Sequence, residues 1–220
     1  MKNKFKAFIS YQNQNGYFEN KIILKNFNEL PNADLLIKVK YSSLNYKDAL
    51  SATGSKGVTK HYPHTPGIDA AGIIVKSKNS YFKPNDRVIV TGFDLGMNTS
   101  GGFAEYIQVP SSWVIKCPDS LPLKEAMMIG TAGLTAGLCV HEIENHTKIK
   151  NLKVIVSGAT GGVGSIAVML LSYLGAKVTS ITGKKNTDSY LHDLGSSEII
   201  NKDHFVNSTR LPLNRGNFDA

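Results

Sequence analysis

Four closely spaced glycines are the chain's clearest candidate for binding chemistry. They are Gly158, Gly161, Gly162 and Gly164. A β-branched run at 153–157 precedes them, and apolar side chains recur at helical spacing from Val163 onward. Glycines between a strand and a helix N-terminus let backbone amides approach a pyrophosphate, and the helix dipole favours its negative charge. The pattern therefore predicts a phosphate-binding loop.

The spacing of these glycines, G-x-x-G-x-x-G, departs from the usual G-x-G-x-x-G of dinucleotide-binding loops. A tight turn that binds nothing is therefore an alternative. The complete frame of strand, glycine turn, helix and strand over residues 153–182 favours a dinucleotide site. The loop residues expected to contact the ligand are Gly161, Gly162, Val163, Gly164 and Ser165.

The end of the second strand indicates which dinucleotide would bind. NAD sites usually place Asp or Glu about 20 residues after the glycines, where it holds the ribose 2′-hydroxyl. Residues 180–185 instead contain hydroxyls and two lysines, and no acid occurs before Asp188. Lysine binds phosphate as a point charge, which favours NADP(H); the alternative is that these lysines only lie in a solvated loop. The expected contacts here are Ser180, Thr182, Gly183, Lys184 and Lys202.

Composition limits the classes of function. With 220 residues, of which 41% are hydrophobic, the chain can bury a sizeable core. Its net charge of +8 suits phosphate-rich ligands, but the lysines are scattered and not interleaved with aromatic residues, so we expect no specific nucleic-acid partner. Cys117 and Cys139 form no metal or disulfide pattern. The N-terminus lacks an apolar signal core and no run approaches a membrane span, which predicts a cytoplasmic protein without a membrane partner.

Strand-like runs dominate the chain up to about Leu121, and helical patterning follows Pro122. The runs expected to form strands are 5–10, 35–41, 70–76, 87–91 and 103–109. Their spacing favours a small β-barrel or sandwich. The segment after Pro122 has the pattern of a helix with a glycine-rich middle and leads into the nucleotide frame. We therefore predict an α/β protein with two domains, residues 1–121 and residues 122–220.

Motifs along essentially the whole chain resemble one family. They include LNYKDAL at 44–50, PGIDAAG at 66–72, GGFAEY at 101–106 and MIGTAGLTAGLCV at 128–140. Together with the glycine loop they resemble the medium-chain dehydrogenase/reductase superfamily, within it the zinc-independent quinone oxidoreductase branch, and most closely its acrylyl-CoA reductase group. The resemblance implies a GroES-like β-barrel over residues 1–121 and a doubly wound Rossmann domain over residues 122–220.

The same resemblance implies an activity. It is the NADPH-dependent reduction of an activated C=C bond by hydride transfer to the β-carbon, with acrylyl-CoA or a related enoyl thioester as the small-molecule substrate. Reduction of a quinone or an enone is one alternative, and an inactive NADPH-binding remnant is another. Full-length members of the family are expected to form homodimers.

A metal is not expected. By the resemblance, zinc-dependent members carry a cysteine at the position of Asn45 and a histidine at that of Ile68, and neither an amide nor an isoleucine replaces those ligands. The structural zinc lobe of four cysteines cannot form with only two cysteines in the chain. His61 with His64, and His141 with His146, lack a third ligand at a recognisable spacing.

By resemblance, Asn45, Tyr46 and Asp48 lie where the barrel domain faces the nicotinamide. Asn45 would donate an amide hydrogen to the substrate carbonyl oxygen, and Tyr46 would stack on or hydrogen-bond to the cofactor. Asp48 would orient its neighbours or relay a proton, and Thr131 is expected near the nicotinamide phosphate. The alternatives are local: a turn held by Asn45 and Asp48, a packed Tyr46, and a helix cap at Thr131.

The resemblance also concerns the length of the chain. Its last residues, RGNFDA at 215–220, resemble the start of a fourth Rossmann strand. The strands expected at 153–157, 176–182 and 198–200 supply only the first half of a doubly wound fold, so we expect the Rossmann domain to be truncated, with an apolar edge exposed at 154–156. A chain of this extent is expected to bind NADPH weakly and to reduce acrylyl-CoA or quinones no faster than background.

Overall fold

The computed structural model of the chain describes residues 4–208 and 218–220, with side chains in the last helix described only as far as Phe205. The chain forms two compact units, Met1–Thr131 (unit 1) and Ala132–Ala220 (unit 2). The sequence pattern predicts a boundary after Leu121, whereas here residues 122–131 belong to unit 1. They do so because Gly130 and Thr131 pack against the strand that begins at Asp69.

Unit 1 is built from antiparallel strands. Those described are β1 (Lys4–Gln12), β2 (Phe18–Asn26), β3 (Leu35–Tyr41), β4 (Asp69–Ser77), β5 (Arg87–Thr91), β6 (Tyr106–Val109) and β7 (Val114–Lys116). Five form a sheet in the order β6-β3-β4-β5-β7, while β1 and β2 pair as a hairpin. Isolated bridges from Ala7 to Ala104 and from Ser10 to His64 connect the hairpin to the remainder of the unit. This is the predicted strand-rich N-terminal fold.

Alternating burial along these strands produces the core of unit 1. On β5, for example, Val88 and Val90 are buried while the residues beside them are half-buried. The core cluster is Leu35, Ile37, Ala70, Ile74, Phe82, Val88, Val90, Leu95, Ile107, Val109 and Val114. Burying one large apolar side chain stabilises a fold by roughly 1.5–3 kcal/mol. The cluster therefore fixes β3 and β4, at whose ends the candidate site residues lie.

The strands follow the sequence prediction unevenly. β3 and β5 have the predicted bounds, and β1 and β4 extend slightly further. β6 begins at Tyr106 rather than at Phe103, because residues 103–105 bond to β1 and β3 instead. The Phe8 N–H donates to Phe103 O (2.8 Å), and the Glu105 N–H donates to Lys6 O (2.9 Å). The pattern does not predict β2, because most of its residues are exposed.

The α-helices described in unit 1 are α1 (Tyr46–Ala52) and the first turns of α2 (Leu123–His146), beside short 3-10 helices at Phe27–Glu29 and Ser111–Trp113. Gly130, with φ 48° and ψ −157°, interrupts α2 with a kink. By length and composition α2 is apolar enough to cross a membrane, with a mean hydropathy of 1.3, so the prediction that no run approaches a membrane span is wrong on those two criteria. The apolar character of α2 was not predicted because glycines separate its apolar side chains. The kink leaves residues 131–146 as its continuous part, about 24 Å at ~1.5 Å per residue.

Unit 2 holds a parallel sheet in the order β10-β9-β8, formed by β8 (Lys153–Ser157), β9 (Lys177–Thr182) and β10 (Glu198–Asn201). The helices between and after these strands are α3 (Gly162–Tyr173), α4 (Asp188–Asp193) and α5 (Lys202–Ser208). Val154, Val168, Leu171, Val178 and Leu191 are among the residues of its core. The predicted strand–loop–helix–strand frame and the third strand are confirmed.

The last described residues lie against β8. The Asp219 N–H donates to Lys153 O (2.8 Å), and the Ile155 N–H donates to Ala220 O (2.9 Å). Because β9 occupies the other side of β8, these bonds lie on the edge that the sequence analysis expects to be exposed. Residues 218–220 thus pair with that edge, which agrees with the predicted start of a further strand.

Candidate functional site

The glycine loop of unit 2 is shaped by close backbone packing. Gly158 has a φ of +61°, and its carbonyl accepts the N–H of Gly161 (2.9 Å), which closes a turn after β8. A Cβ on Gly164 would lie 2.3 Å from Gly158 O and 2.8 Å from Ala159 Cα. Only glycine permits this approach of α3 to the turn. The helix N-terminus is thereby held directly at the end of the strand.

The residues at the start of α3 are exposed to solvent. Gly161, Gly162 and Val163 are exposed, whereas Gly164 is buried. The first amides of a helix have no partners within it, and they carry the positive end of its dipole. The Ser165 hydroxyl donates back to Gly162 O (3.2 Å) and so belongs to the same turn. This arrangement of amides suits a pyrophosphate.

Two lysines follow neighbouring parallel strands. Thr182 ends β9 and pairs with Asn201, which ends β10, so Gly183–Lys184 and Lys202 leave the sheet at the same edge. A Cβ on Gly183 would lie 3.9 Å from Cβ and Cδ of Lys202, which places that lysine beside Gly183. Lys184 and Lys202 are both exposed. The carboxyl edge of the sheet therefore presents cations where NAD sites place a carboxylate.

The predicted hydroxyl contacts at this edge are placed differently. Thr182 is buried, and its Oγ1 accepts the Lys184 N–H (3.1 Å) and lies 3.3 Å from Thr160 Oγ1. Ser180 is fully buried and accepts a hydrogen bond from the Ser196 hydroxyl (2.9 Å). A hydroxyl in the position of Ser180 supports the interior of the sheet rather than an exposed anion. Thr182 shapes the loop that carries Lys184.

In unit 1, Asn45 and Asp48 form the start of α1. The Asn45 N–H donates to Asp48 Oδ2 (2.8 Å), which is one half of a capping box. Asp48 Oδ1 accepts the N–H groups of Ile68 (2.9 Å) and Gly67 (3.2 Å). Asp48 is buried, and its burial raises the pKa of the carboxyl above its usual value, although the backbone donors act in the opposite direction. Asp48 therefore joins the start of α1 to the loop before β4.

Asp69 is the centre of the polar network in unit 1. It is fully buried at the start of β4. Its Oδ2 accepts the Asn45 Nδ2–H (2.9 Å) and the Thr131 N–H (3.0 Å), and its Oδ1 accepts the Thr131 hydroxyl (2.7 Å). One carboxylate thus orients the Asn45 amide and caps the part of α2 that restarts after the kink.

The kink itself depends on Gly130. A Cβ there would lie 2.5 Å from Ser43 Oγ and 2.8 Å from Asp69 Oδ2, and the φ of +48° disfavours other residues. The Ser43 hydroxyl donates to Met127 O (2.6 Å), a carbonyl in the turn before the kink. Neither Gly130 nor Asp69 is predicted as a site residue from the sequence. An acid directly before a β-rich run, in PGIDAAG, was the available signal for Asp69.

Tyr46 is placed apart from this network. It is the first residue of α1, and 81% of its surface is exposed. The packed alternative for Tyr46 is therefore wrong, and its ring is accessible to a ligand. The local alternatives for Asn45 and Asp48 do occur, since both bond at the helix start, and Thr131 does lie at a helix restart. These local roles leave contact with a ligand possible for Asn45, which is only half-buried.

The two positions compared with zinc enzymes have other partners. The Asn45 amide is bonded to Asp69, and Ile68 is buried with its N–H bonded to Asp48. Within residues 4–208 and 218–220, no group of three or more His, Cys, Asp or Glu side chains is arranged to hold a metal ion. The absence of a metal remains a prediction.

The chain is similar to known proteins over most of its length. The alcohol dehydrogenase GroES-like domain matches residues 31–119. Putative quinone oxidoreductase YhfP of Bacillus subtilis (strain 168) is 43% identical over 188 residues, which are 85% of this chain and 57% of that protein. Probable acrylyl-CoA reductase AcuI of Escherichia coli (strain K12) is 42% identical over 183 residues, which are 83% of this chain and 56% of that protein. The chain thus spans somewhat more than half the length of these relatives.

Solved structures share the fold. The yhdH oxidoreductase from Salmonella enterica in complex with NADP is 39% identical, with a TM-score of 0.90 over 96% of this chain and 64% of that one. Bacillus subtilis yhfP with NAD bound is also 39% identical, with a TM-score of 0.91 over 98% of this chain and 65% of that one. The chain belongs to the medium-chain dehydrogenase/reductase superfamily, as its GroES-like domain, its glycine loop and its identity to these relatives show.

Proposed function

We propose that the protein is an NADPH-dependent reductase of an activated C=C bond, with acrylyl-CoA or a related enoyl thioester as its substrate. The observation that carries the cofactor assignment is the pair of exposed lysines, Lys184 and Lys202, at the carboxyl edge of the sheet, together with the lack of an acid in residues 180–185 at the end of β9. The substrate class is taken from the relative named acrylyl-CoA reductase.

The residues of unit 2 fit the dinucleotide. The amides of Gly162 and Val163, on exposed residues at the start of α3, would hold the pyrophosphate, while the Gly161 N–H closes the turn on Gly158 O. The missing side chain of Gly164 leaves the helix close enough to do so. Lys184 and Lys202 would bind the 2′-phosphate. Thr131 would lie near the phosphate on the nicotinamide side of the dinucleotide.

When bound, NADPH supplies the hydride that reduces the β-carbon. As negative charge develops on the carbonyl oxygen of the substrate, a positioned N–H donor stabilises it. One hydrogen of the Asn45 amide is bonded to Asp69, which fixes the nitrogen side of the amide. We assign the second hydrogen of that nitrogen to the carbonyl oxygen. Tyr46 would stack on the cofactor, and Asp48 would hold α1 in position.

A quinone or an enone is the second candidate substrate. A relative at 43% identity carries the name quinone oxidoreductase, and the same donor at Asn45 serves any carbonyl conjugated to a C=C bond. Both reactions consume NADPH, and both place the developing charge on one oxygen.

The test uses a version of the chain extended by the second half of the Rossmann domain, because residues 1–220 alone are expected to turn over neither substrate above background. It follows the absorbance of the reduced nicotinamide when this version is mixed with NADPH and either acrylyl-CoA or 1,4-benzoquinone. The proposal expects turnover of acrylyl-CoA with NADPH well above that with NADH. Asn45→Ala should lower kcat more than it changes KM, because its amide acts mainly in the transition state. Turnover of the quinone alone would select the second candidate, and no turnover of either would overturn both.

A further inference from the structure

A groove with a basic rim runs along β3 in unit 1. Two cavities of about 400 and 360 Å³ share Val39, Lys40 and Glu105 as lining residues, so they adjoin along β3. Together they extend from Leu36 to Ser42. That span is about 20 Å of strand at ~3.3 Å per residue. We call the two adjoining cavities the β3 groove.

The charge of the β3 groove is strongly positive. Its lining includes Lys4, Lys6, Lys38 and Lys40. None of these lysines forms an ion pair within the part of the chain that the structure describes. Glu105 is the acid in the lining, and one of its oxygens accepts the Lys6 backbone N–H (2.7 Å). Glu29 interacts electrostatically with Lys4 and partly balances its charge. An excess of cations along one groove favours a ligand with several negative charges.

One wall of the groove is aromatic. The rings of Phe27 and Tyr106 lie 4.9 Å apart between centroids, and both side chains are only half-buried. Leu36 and Val75 line the same cavity. A flat heterocyclic base can pack against exposed aromatic rings of this kind. The groove therefore offers apolar contact beside its cations.

The far end of the groove adjoins the polar network. The Ser42 hydroxyl donates to Gly102 O (2.7 Å), and both residues line the groove. A Cβ on Gly102 would lie 2.4 Å from Asp69 O, so Gly102 packs directly on that residue. Asp69 in turn holds the Asn45 amide. The end of the groove at Ser42 is thus separated from the Asn45 amide by the buried residues Gly102 and Asp69.

We propose that the β3 groove binds the phosphorylated adenosine end of a coenzyme A thioester, whose pantetheine arm follows β3 toward Asn45. This inference rests on the proposed function and narrows it to acyl-CoA, because a quinone has neither phosphates nor an extended arm. The diphosphate and 3′-phosphate of coenzyme A meet the lysines, and its adenine packs on Phe27 and Tyr106.

The test is calorimetric titration of free coenzyme A into the whole chain, with NADP⁺ present at saturation and ionic strength held constant. The groove variant is Lys38→Glu/Lys40→Glu. The control variant is Lys60→Glu/Lys83→Glu, which changes the net charge equally at two exposed lysines outside the groove. We expect the groove variant to weaken coenzyme A binding by about tenfold or more, and the control by less than about twofold.

Three results would overturn the inference: no binding of coenzyme A by the unmodified chain, equal weakening in both variants, or competition between coenzyme A and NADP⁺ for one site. The milder Lys38→Ala/Lys40→Ala variant should bind coenzyme A with an affinity between those of the unmodified chain and of Lys38→Glu/Lys40→Glu. The reductase assay, run on the version extended by the second half of the Rossmann domain, separates the two proposals. Coenzyme A bound in the groove without any turnover would contradict the function alone. Turnover of acrylyl-CoA with an unchanged KM in the groove variant would contradict the groove alone.

Discussion

Unit 1 and unit 2 hold their candidate site residues in opposite ways. In unit 1, Asp48 and Asp69 are buried, and their oxygens bond to Asn45, to Thr131 and to backbone amides of the loop before β4. In unit 2, the helix amides and lysines of the glycine loop and the sheet edge are exposed. A buried, mutually bonded network fixes geometry, and disturbing it lowers stability. Exposed groups contribute binding energy with little effect on the fold.

Because of this difference, substitutions in the two units should affect ligand affinity and protein stability differently. Changes to the unit 1 network should lower the free energy of unfolding together with any activity. Changes to the lysines of unit 2 should alter ligand affinity alone. The glycine loop is the exception in unit 2, because its backbone is packed as closely as anything in unit 1.

The largest expected effect on stability is at Gly164 in the glycine loop. Gly164→Ala places a Cβ against the backbone of Gly158 and Ala159, so we expect the free energy of unfolding to fall by about 2–3 kcal/mol and NADPH binding to be lost. Gly137→Ala is the matched control, since a Cβ there meets nothing within 4 Å and α2 gains helix propensity. Urea unfolding of both variants measures the difference. Equal stabilities would show that the loop is not closely packed.

A smaller effect is expected at the unit 1 network. Asp69→Asn places an NH₂ group against the donors of Asn45 or Thr131, which leaves a buried donor without an acceptor and costs about 2 kcal/mol. Asp34→Asn is the control, because Asp34 accepts two bonds, from the N–H (3.0 Å) and hydroxyl (2.9 Å) of Ser111, where Asp69 accepts three, and is not fully buried. Asp34→Asn should lower the free energy of unfolding by well under half as much as Asp69→Asn. Urea midpoints that fall equally in both variants would contradict the claim that Asp69 is the centre of the unit 1 network.

The sequence accounts for these two regions to different degrees. The β8–α3–β9 frame follows from β-branched runs, glycines and helical periodicity, all of which are local. Asp69 was not identified because its role depends on Asn45 and Thr131, which are distant from it in the chain and meet it only in the fold. Ser180 was placed at the cofactor because a strand with both faces buried gives no alternation to indicate its direction.

Elements without an apolar pattern were also missed. β2 is largely exposed and pairs only with β1, so its sequence carries no burial signal. The sequence of α2 contains three spaced glycines, Gly130, Gly133 and Gly137. Only the packing of Gly130 on Ser43 and Asp69 shows at which of them the helix kinks.

The smallest effect on stability is pH-dependent. His64 is buried with its Nε2 3.0 Å from Gly96 O, and burial lowers the pKa of its imidazole below the usual value. The unfolded chain therefore binds a proton first, so stability is lost as pH falls below about 6.5, by at most ~1.4 kcal/mol per pH unit. His64→Gln should remove this loss, whereas the exposed His146→Gln should retain it. Thermal unfolding between pH 7 and pH 5 tests this, and an unchanged slope in His64→Gln would contradict it.

The central claim is that the cations at the carboxyl edge of the unit 2 sheet select NADPH. The most direct measurement is calorimetric titration of NADPH and NADH into the chain and into Lys184→Glu, with Lys177→Glu, at the opposite end of β9, as the control. We expect Lys184→Glu to weaken NADPH binding by roughly 1–3 kcal/mol while NADH binding and the free energy of unfolding change little. Lys177→Glu should bind both cofactors as the unmodified chain does. A parallel loss of NADPH and NADH binding in Lys184→Glu, or no loss of either, would contradict the claim.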